Sequence, residues 1–326
     1  MALDFSLKLQ SGMVNTVSDE KTDAKKDSNE TEDEWAKWRQ AGVIAKAALD
    51  LARPMVKPGT KVIDIVESVE KYILENATGI AFPCNVALNN IAAHYTSPLN
   101  DETVIEDGDL VTVDCGAHID GCISDTAFTI ALNPEHESLV KASVDATNVA
   151  IRMMRPGAKL NTIGALIEDT IKHAGFEPIK QLSGHQLQEY ELHSEKQVPC
   201  VSGKSEVKVE EGEIYAIETF ASTGSGNVTD LPTPLIYQLL PIRVPVRFRG
   251  TKQFLSIARR EYKEFPFAER WLAEKMKHAT LKMAIRELKQ KGALVSHNIL
   301  AEEKGELVSQ HEHTVIVTEN GHERTT

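Results

Sequence analysis

The sequence of 326 residues predicts an α+β fold that is built from two similar halves. Two observations carry this prediction. One is a β-hairpin whose strands alternate apolar and polar residues, and the other is an internal repeat that joins helical segments to strands. Hydrophobic residues make up 41% of the chain, which is enough for the core of one large domain or of two average ones.

The internal repeat relates segments that lie 98 to 104 residues apart. Residues 105–114 recur as residues 209–218, and a Pro-Gly turn at 58–59 is matched by one at 156–157. Because an amphipathic helical pattern follows each turn, each half is predicted to contain a helix, a Pro-Gly turn, a helix, an acidic turn and a strand. The alignment places Glu218 on Asp114, so two strands related by a pseudo-twofold axis would direct carboxylates at one central cavity.

The predicted hairpin carries Asp114 on one strand and Asp125 on the other, with Asp120-Gly121 as the turn signal between them. A two-residue turn, whether at 119–120 or at 120–121, puts both carboxylates on the same face of the sheet. Like charges that face each other across strands are destabilising. The functional interpretation of this pair is therefore that a divalent cation binds between the two carboxylates. The alternative is a pair of solvated surface acids.

Three further residues complete a candidate binuclear metal site. His185 and His193 are eight residues apart, and this even spacing keeps both imidazoles on one face if the segment is extended. Glu312 lies on a predicted buried strand, on the face opposite to His311 and His313. Carboxylates with one imidazole suit Mn, Fe, Co or Zn, and two such ions activate a water and polarise a carbonyl. The sequence therefore predicts a metal-dependent hydrolase.

Taken in order, the motifs resemble those of the type II methionine aminopeptidases of the archaeal kind. The matching segments are 92–96, 113–114 with Asp125, 184–185 with His193, 217–220 and 312–314. The resemblance runs from about residue 35 to about residue 317. It implies a pita-bread fold, in which two pseudo-symmetric α/β halves surround a dinuclear metal site and carry a helical, winged-helix-like insert. It also implies removal of the initiator methionine from nascent polypeptide N-termini whose second residue is small and uncharged.

The resemblance also implies a role for each candidate residue. Two divalent ions (Co, Mn, Fe or Zn) would be held by Asp114, Asp125, His185, Glu218 and Glu312. Glu218 would in addition accept the proton of a bridging water that attacks the scissile carbonyl. His193 would hydrogen-bond that carbonyl, and His94 would contact the substrate beside the metals, so both are implied as catalytic and substrate-binding residues. Phe82 would line the pocket for the methionine side chain.

Three departures from the family pattern concern the methionine pocket rather than the metal ligands. Ser97 separates Thr96 from Pro98, where the family has Thr-Pro. His311 takes the place of an aromatic residue before the last ligand, and His297 takes the place of a tyrosine. We therefore expect a pocket of altered shape or polarity with unchanged chemistry.

The composition along the chain predicts its organisation. Residues 1–34 are rich in charged and small polar residues, which indicates a disordered, acidic and polar extension. The catalytic domain is predicted at 35–326, with its first half at 35–148, its second half at 149–223 and 297–326, and the helical type II insert at 224–296. Within the insert, helical periodicity covers 251–258, 266–273 and 281–288.

The insert also concentrates positive charge. Residues 241–291 contain 14 Lys and Arg against 5 Asp and Glu, in a chain whose net charge is −12. Such a cluster is commonly just a solvated face. The functional alternative is a ribosome contact, in which this surface binds ribosomal RNA near emerging chains.

The remaining features bear on the compartment. The N-terminus lacks the basic region and the long apolar stretch of a signal peptide, and no segment approaches the roughly 20 apolar residues of a membrane helix. Four cysteines in a chain of this length indicate buried thiols of a reducing compartment rather than a disulfide framework. We therefore expect a cytoplasmic protein without membrane contact and, from the resemblance, a monomer.

Two alternative functions remain open at this point. Aminopeptidase P and prolidase cleave Xaa-Pro bonds with a comparable site, but they normally carry a separate N-terminal domain, and here about 34 residues precede the first catalytic helix. A protein that keeps the fold but only binds RNA or protein is the other alternative. Such proteins typically have substituted ligands, whereas all five candidate ligands are present here.

Overall fold

The computed structural model describes residues 24–326. The first half comprises α1 (Ala24–Ala52), α2 (Val62–Asn76), β1 (Gly79–Leu88), β2 (Ile91–Ala93), β3 (Leu110–Ile119) and β4 (Cys122–Ala131). Residues 1–23 of the predicted disordered extension lie outside the described residues. Residues 24–34 of that extension belong to α1, so the first helix begins before the boundary predicted at residue 35.

The second half repeats this order of two helices followed by strands. It begins with α3 (Glu137–Met153), α4 (Leu160–His173), β5 (Glu177–Pro178), β6 (Ser183–Leu187), β7 (Gln197–Pro199) and β8 (Ile214–Ser222). The predicted boundary between the halves at 148–149 therefore falls inside α3. Helix α3 precedes the second Pro-Gly turn as α1 precedes the first, and it packs in the same apolar core as α4 and β8. For this reason the second half begins before α3, not within it.

The insert follows and is not purely helical. Its elements are β9 (Thr229–Asp230), β10 (Ile236–Leu239), α5 (Arg249–Glu261), β11 (Phe267–Ala268), α6 (Glu269–Ala273), α7 (His278–Gln290) and β12 (Leu294–His297). Strands β11, β10 and β12 form a small sheet in that order. The helices predicted at 251–258 and 281–288 lie in α5 and α7, whereas 266–273 contains a strand and a short helix. The predicted end of the insert at 296 falls within β12.

The chain then returns to the main sheet through β13 (Leu300–Ala301), β14 (Val308–Thr318) and β15 (Gly321–Arg324). The main sheet has nine strands, of which β1, β3, β4, β14, β8, β6 and β7 are neighbours in that order, while β15 pairs with β14 and β5 with β8. A separate sheet joins β2, β13 and β9. One apolar core lies between α1, α2 and the β1–β3 side of the main sheet, and another lies between α3, α4 and the β8 side. The two halves therefore meet where β4 pairs with β14.

The internal repeat is visible in the backbone. Gly59 and Gly157 have φ angles of +86° and +83°, and Gly108 and Gly212 have +88° and +83°. Each glycine of the first pair donates its N–H to the segment before the acidic turn of its own half, at 2.8 Å in both cases. Because L-residues rarely adopt this left-handed conformation, the same turns recur at matching positions, which confirms the predicted duplication.

The structure also bears on membrane-spanning helices, on the cysteines and on His118. No helix in residues 24–326 is long and apolar enough to cross a membrane. The four cysteines are buried and no disulfide joins them, as predicted. His118, beside the hairpin turn, is buried, and its ring stacks on Phe265 of the insert at a centroid distance of 4.4 Å. The residue that buries it comes from a distant segment, so the local sequence does not reveal this contact.

Candidate metal centre

The hairpin brings Asp114 and Asp125 to one face of the main sheet. The turn has two residues, Asp120-Gly121, because Ile119 pairs directly with Cys122. In this register Asp125 is opposite Gly116, two positions from Asp114, so the carboxylates are diagonal neighbours on the same side. Both residues line the same cavity.

The neighbouring strand pair contributes the next two carboxylates. Glu312 on β14 is directly opposite Glu218 on β8. Glu312 is also opposite Ala127 on β4, which places the four acids across the middle of the sheet, where the two halves meet. Gln310 is two residues before Glu312 and shares its face, and its Nε2 donates to Glu218 Oε2 at 3.2 Å and to Glu312 Oε2 at 3.1 Å. The sequence analysis did not identify Gln310, although its i, i+2 spacing from Glu312 signals the same face.

The imidazole of His185 completes the cluster from β6. Its Nε2 lies 3.6 Å from Asp125 Oδ2 and 3.7 Å from Glu218 Oε1. Ligand atoms of Asp125, His185 and Glu312 all lie within 4.8 Å of one another. Asp114 and Glu218 lie outside this tightest group but line the same cavity.

His193 reaches the site by a route that differs from the prediction. The chain after β6 is not extended but reverses at 188–191, where Tyr190 has a φ of +63° and the N–H of Ser194 bonds back to Gln186 O at 2.9 Å. The reversal places the rings of His185 and His193 4.3 Å apart. The expected proximity therefore occurs, but the even spacing in an extended segment is not its cause.

The raised pKa values of the carboxyl groups at this site indicate that a bound cation would stabilise their ionised forms. Burial raises the pKa of Asp114 from 3.8 to about 7. Burial and then the neighbouring carboxylates raise the pKa values of Asp125, Glu218 and Glu312 well above their usual range. Buried like charges without a cation cannot all remain ionised at neutral pH.

Several atoms of this cluster suit a divalent cation. Asp114 Oδ1, Asp125 Oδ1 and Glu312 Oε1 are buried and have no hydrogen-bond partner in the part of the chain that the structure describes. Buried polar atoms normally have a partner, so these oxygens are positioned to bind something other than the protein. Burial also lowers the pKa of His185 to about 4, which keeps its imidazole neutral and able to bind a metal. The residues therefore fit hard or borderline divalent ions.

The acidic cluster forms one wall of a cavity with a volume of about 190 Å³. Its remaining walls are largely apolar and include Phe82, Leu192, Phe220, Ile236 and Pro266. All eight residues that were predicted to bind metal or substrate line this cavity. Six strands of the main sheet (β1, β3, β4, β6, β8 and β14), the 188–193 segment and the insert therefore all contribute to a single chamber.

Two histidines lie on another wall of this cavity. The rings of His94 and His297 meet edge to face at a centroid distance of 5.6 Å. His297, one of the departures from the family pattern, therefore does affect the lining of the cavity. His311 is not part of the lining, because it lies on the other face of β14, where its ring contacts His313 at 4.9 Å. The expectation that His311 alters the pocket is accordingly not supported by its position.

His94 is held in a restricted conformation. Its φ of +64° is left-handed, which is uncommon for a non-glycine residue and is typical of functional positions. Its Nδ1 lies 3.0 Å from the carbonyl oxygen of Asn298 and, since a carbonyl only accepts, this nitrogen carries the proton. Burial lowers the pKa of His94, so the ring is neutral and its Nε2 is an acceptor.

Comparisons with known proteins agree with this geometry. The model of metallopeptidase family M24 matches residues 36–319. A methionine aminopeptidase of Thermococcus onnurineus is 44% identical over 283 residues, which are 86% of this chain and 96% of that protein. One of Pyrococcus abyssi is 41% identical over 279 residues, or 85% and 94% of the two chains.

Solved structures show the same fold. A thermophilic Arx1 has a TM-score of 0.81 at 22% identity, covering 90% of both chains. A methionine aminopeptidase of Thermotoga maritima has a TM-score of 0.65 at 22% identity, covering 90% of this chain and 96% of that one. A prolidase of Pyrococcus furiosus has a TM-score of 0.56 at 19% identity, covering 90% of this chain and 64% of that one.

Proposed function

This chain belongs to metallopeptidase family M24, among the type II methionine aminopeptidases with the pita-bread fold, and from that membership we propose that it removes the initiator methionine from nascent proteins. It is an aminopeptidase that depends on divalent metal ions. The observation that carries the proposal is the cluster of four carboxylates and one imidazole on the wall of the cavity, in which Asp125, His185 and Glu312 are buried and Asp114 and Glu218 are partly buried.

Asp114, Asp125, His185, Glu218 and Glu312 would hold two divalent ions. Bound there, the ions lower the pKa of water and polarise the substrate carbonyl. Glu218 is proposed as the proton acceptor for the attacking water, because its carboxylate lines the cavity beside the other candidate ligands, and a carboxylate within reach of the water can act as a general base. Its other oxygen accepts from Gln310, which orients the group.

His193 and His94 are proposed to form hydrogen bonds with the peptide group that is cleaved. His193 donates a hydrogen bond to the scissile carbonyl oxygen, where negative charge develops. Burial and the neighbouring His185 lower the pKa of His193, so it acts as a neutral donor. His94 offers its free Nε2 as an acceptor for a substrate amide N–H.

The apolar walls select the first residue of the substrate. A thioether side chain is unbranched, apolar and adaptable, and it packs against Phe82 in the cavity. The free α-amine of the substrate would bind one of the ions or the adjacent carboxylates, which restricts cleavage to the first peptide bond. A preference for a small, uncharged second residue is part of the proposal and rests on the resemblance alone.

The proposal is tested with protein that has been stripped by a chelator and reconstituted with Mn or Co. Release of methionine from a Met-Gly peptide, with no cleavage of an Ala-Pro peptide, is the expected result. Cleavage of the Ala-Pro peptide alone would instead support the prolidase alternative. Activity on neither peptide, with no metal bound, would favour a protein that only binds its partners.

The ribosome contact of residues 241–291 stays a prediction, and part of the charge of this segment is already balanced. Arg270 is buried against Glu70, Lys282 pairs with Glu269 at 2.7 Å, and Lys275 pairs with Glu261. Co-sedimentation with ribosomes that weakens steeply with salt would support the contact. Equal binding by an insert with neutralised exposed Arg and Lys residues would contradict it. The cytoplasmic location and the monomeric state also stay predictions.

A further inference from the structure

The insert is connected to the metal centre through one buried carboxylate, Glu70 of α2. Glu70 is 6% exposed. Oε1 accepts a hydrogen bond from the backbone N–H of Cys84 at 3.2 Å, and Oε2 accepts one from Trp271 Nε1 at 2.9 Å. Arg270 forms a buried ion pair with the same carboxylate. Because Arg270 and Trp271 lie on α6, Glu70 links α2 and β1 to the insert.

The N–H of Cys84 requires this partner because the main sheet is irregular at that point. The pairing of β1 with β3 changes register on both sides of Phe82, so residues 82–85 depart from the regular ladder. Pro83 within this segment has no N–H to contribute. Cys84 is fully buried, and an unpaired buried N–H is costly. The Glu70 carboxylate therefore fixes the backbone of the irregular segment.

This segment presents two side chains to the site. Asn85 is paired with Asp114 across the strands, and its Nδ2 donates to Asp114 Oδ2 at 3.5 Å. Phe82 lines the cavity, and its ring packs so closely over Gly116 that a Cβ there would collide with it. The position of the segment therefore determines both a neighbour of a candidate metal ligand and an apolar wall of the pocket.

We propose that Glu70 is a positioning residue for the metal centre and the methionine pocket, acting through residues 82–85 and held by Arg270 and Trp271. The inference rests on the proposed function in that divalent ions bind at Asp114 and its neighbours. It gives the insert a part in shaping the hydrolytic site that is independent of any contact with RNA. Loss of an outer partner that orients a metal ligand typically weakens metal binding by ~10–100-fold.

The variant Glu70→Gln tests this link with little change of shape. The amide accepts a weaker hydrogen bond from Cys84 than the carboxylate does, and its NH₂ group cannot accept from Trp271. The matched control is Glu302→Gln, since Glu302 is also buried (3% exposed) and accepts backbone N–H groups, from Gly226 and Asn227. Glu302 has no hydrogen bond to the 82–85 segment among those of the described residues.

Calorimetric titration of chelator-stripped protein with Mn²⁺ is the primary measurement, with the thermal midpoint and the KM for a Met-Gly peptide alongside it. Glu70→Gln is expected to weaken Mn²⁺ binding by about 10-fold and to raise KM, whereas Glu302→Gln lowers the thermal midpoint only. A Glu70→Gln protein that is less stable but binds Mn²⁺ as the wild type does would overturn the proposal. A wild type that binds no Mn²⁺ would instead contradict the proposed function itself.

A second variant covers the case in which Glu70→Gln does not fold. The paired substitution Glu70→Leu with Arg270→Met removes both buried charges together, which proteins often tolerate, and still deprives Cys84 of its acceptor. It should weaken Mn²⁺ binding in the same direction. When the paired substitution is combined with Asn85→Ala, the loss of Mn²⁺ affinity should be smaller than the sum of the two separate losses, because both changes act through Asp114. Full additivity, or unchanged Mn²⁺ binding, would refute the route through residues 82–85.

Discussion

Without metal, the folded protein should lose stability as the pH rises, because the pKa values of the four carboxylates in the cluster are raised, and Asp114 shows the minimum size of this loss. Burial raises its pKa from 3.8 to about 7. A carboxyl group whose pKa is higher in the folded than in the unfolded state binds more protons when folded. It therefore stabilises the fold below the unfolded pKa, and this stabilisation is lost as the pH rises through the folded pKa.

The size of the effect follows from the shift. One pKa unit corresponds to about 1.36 kcal/mol, so a rise of about three units amounts to roughly 4 kcal/mol. The stabilisation is lost at this rate for each pH unit between the unfolded and the folded pKa. Two of these pH units lie between pH 5 and pH 7, so the free energy of unfolding falls by about 3 kcal/mol over that interval. Above the folded pKa the contribution of Asp114 no longer changes.

Urea denaturation of chelator-stripped protein between about pH 5 and pH 8 measures this loss, with Asp114→Asn as the reference. The asparagine keeps the shape and does not titrate, and it also removes the charge that raises the pKa values of Asp125, Glu218 and Glu312. Buried neutral histidines, such as His185 with its pKa lowered to about 4, destabilise both proteins as the pH falls and so cancel in the difference. The wild type is expected to lose more than the variant by at least about 3 kcal/mol, since the variant also lacks the repulsion between Asp114 and the other carboxylates. Parallel stability curves would show that Asp114 is not held in a buried carboxylate cluster.

Further substitutions separate the roles at the site. Glu218→Gln should lower kcat by at least ~10²–10⁴-fold, because the proton acceptor and a charged ligand are lost together; turnover near the wild-type value would refute the assignment. His94→Ala should slow turnover and leave the bound metal unchanged, and loss of metal in elemental analysis would show that its role is different. Phe82→Ala should raise KM for a Met-Gly peptide more than it lowers kcat, since the ring contacts the side chain rather than the reacting atoms. Mn²⁺ at 100 times its Kd should raise the free energy of unfolding by about 2.7 kcal/mol for each ion bound, and an unchanged denaturation midpoint would mean that the folded chain does not bind it.

The parts of this architecture that depend on local pattern could be predicted from the sequence. The two-residue turn at 120–121 fixes the hairpin register, and register alone decides that Asp114 and Asp125 share a face. The repeated Pro-Gly and acidic turns place Glu218 in the second half where Asp114 lies in the first. Strand β14 is long enough for its alternation to assign Glu312 and His311 to opposite faces.

The parts that depend on contacts between distant segments could not be predicted. His118 is buried by Phe265, and Glu70 is paired with Arg270, only because the insert docks on the first half. The strands of the insert are two to four residues long, too short for alternation to be recognised. His193 reaches His185 through a chain reversal that no spacing rule describes.

Methionine release from a Met-Gly peptide, measured as Mn²⁺ is added stepwise to the chelator-stripped protein, is the decisive test of a metal-dependent methionine aminopeptidase. The metal-free protein should release no methionine, and release should rise with added Mn²⁺ and saturate near two ions per chain. Full release without metal, or Mn²⁺ binding that leaves the peptide intact, would contradict this assignment.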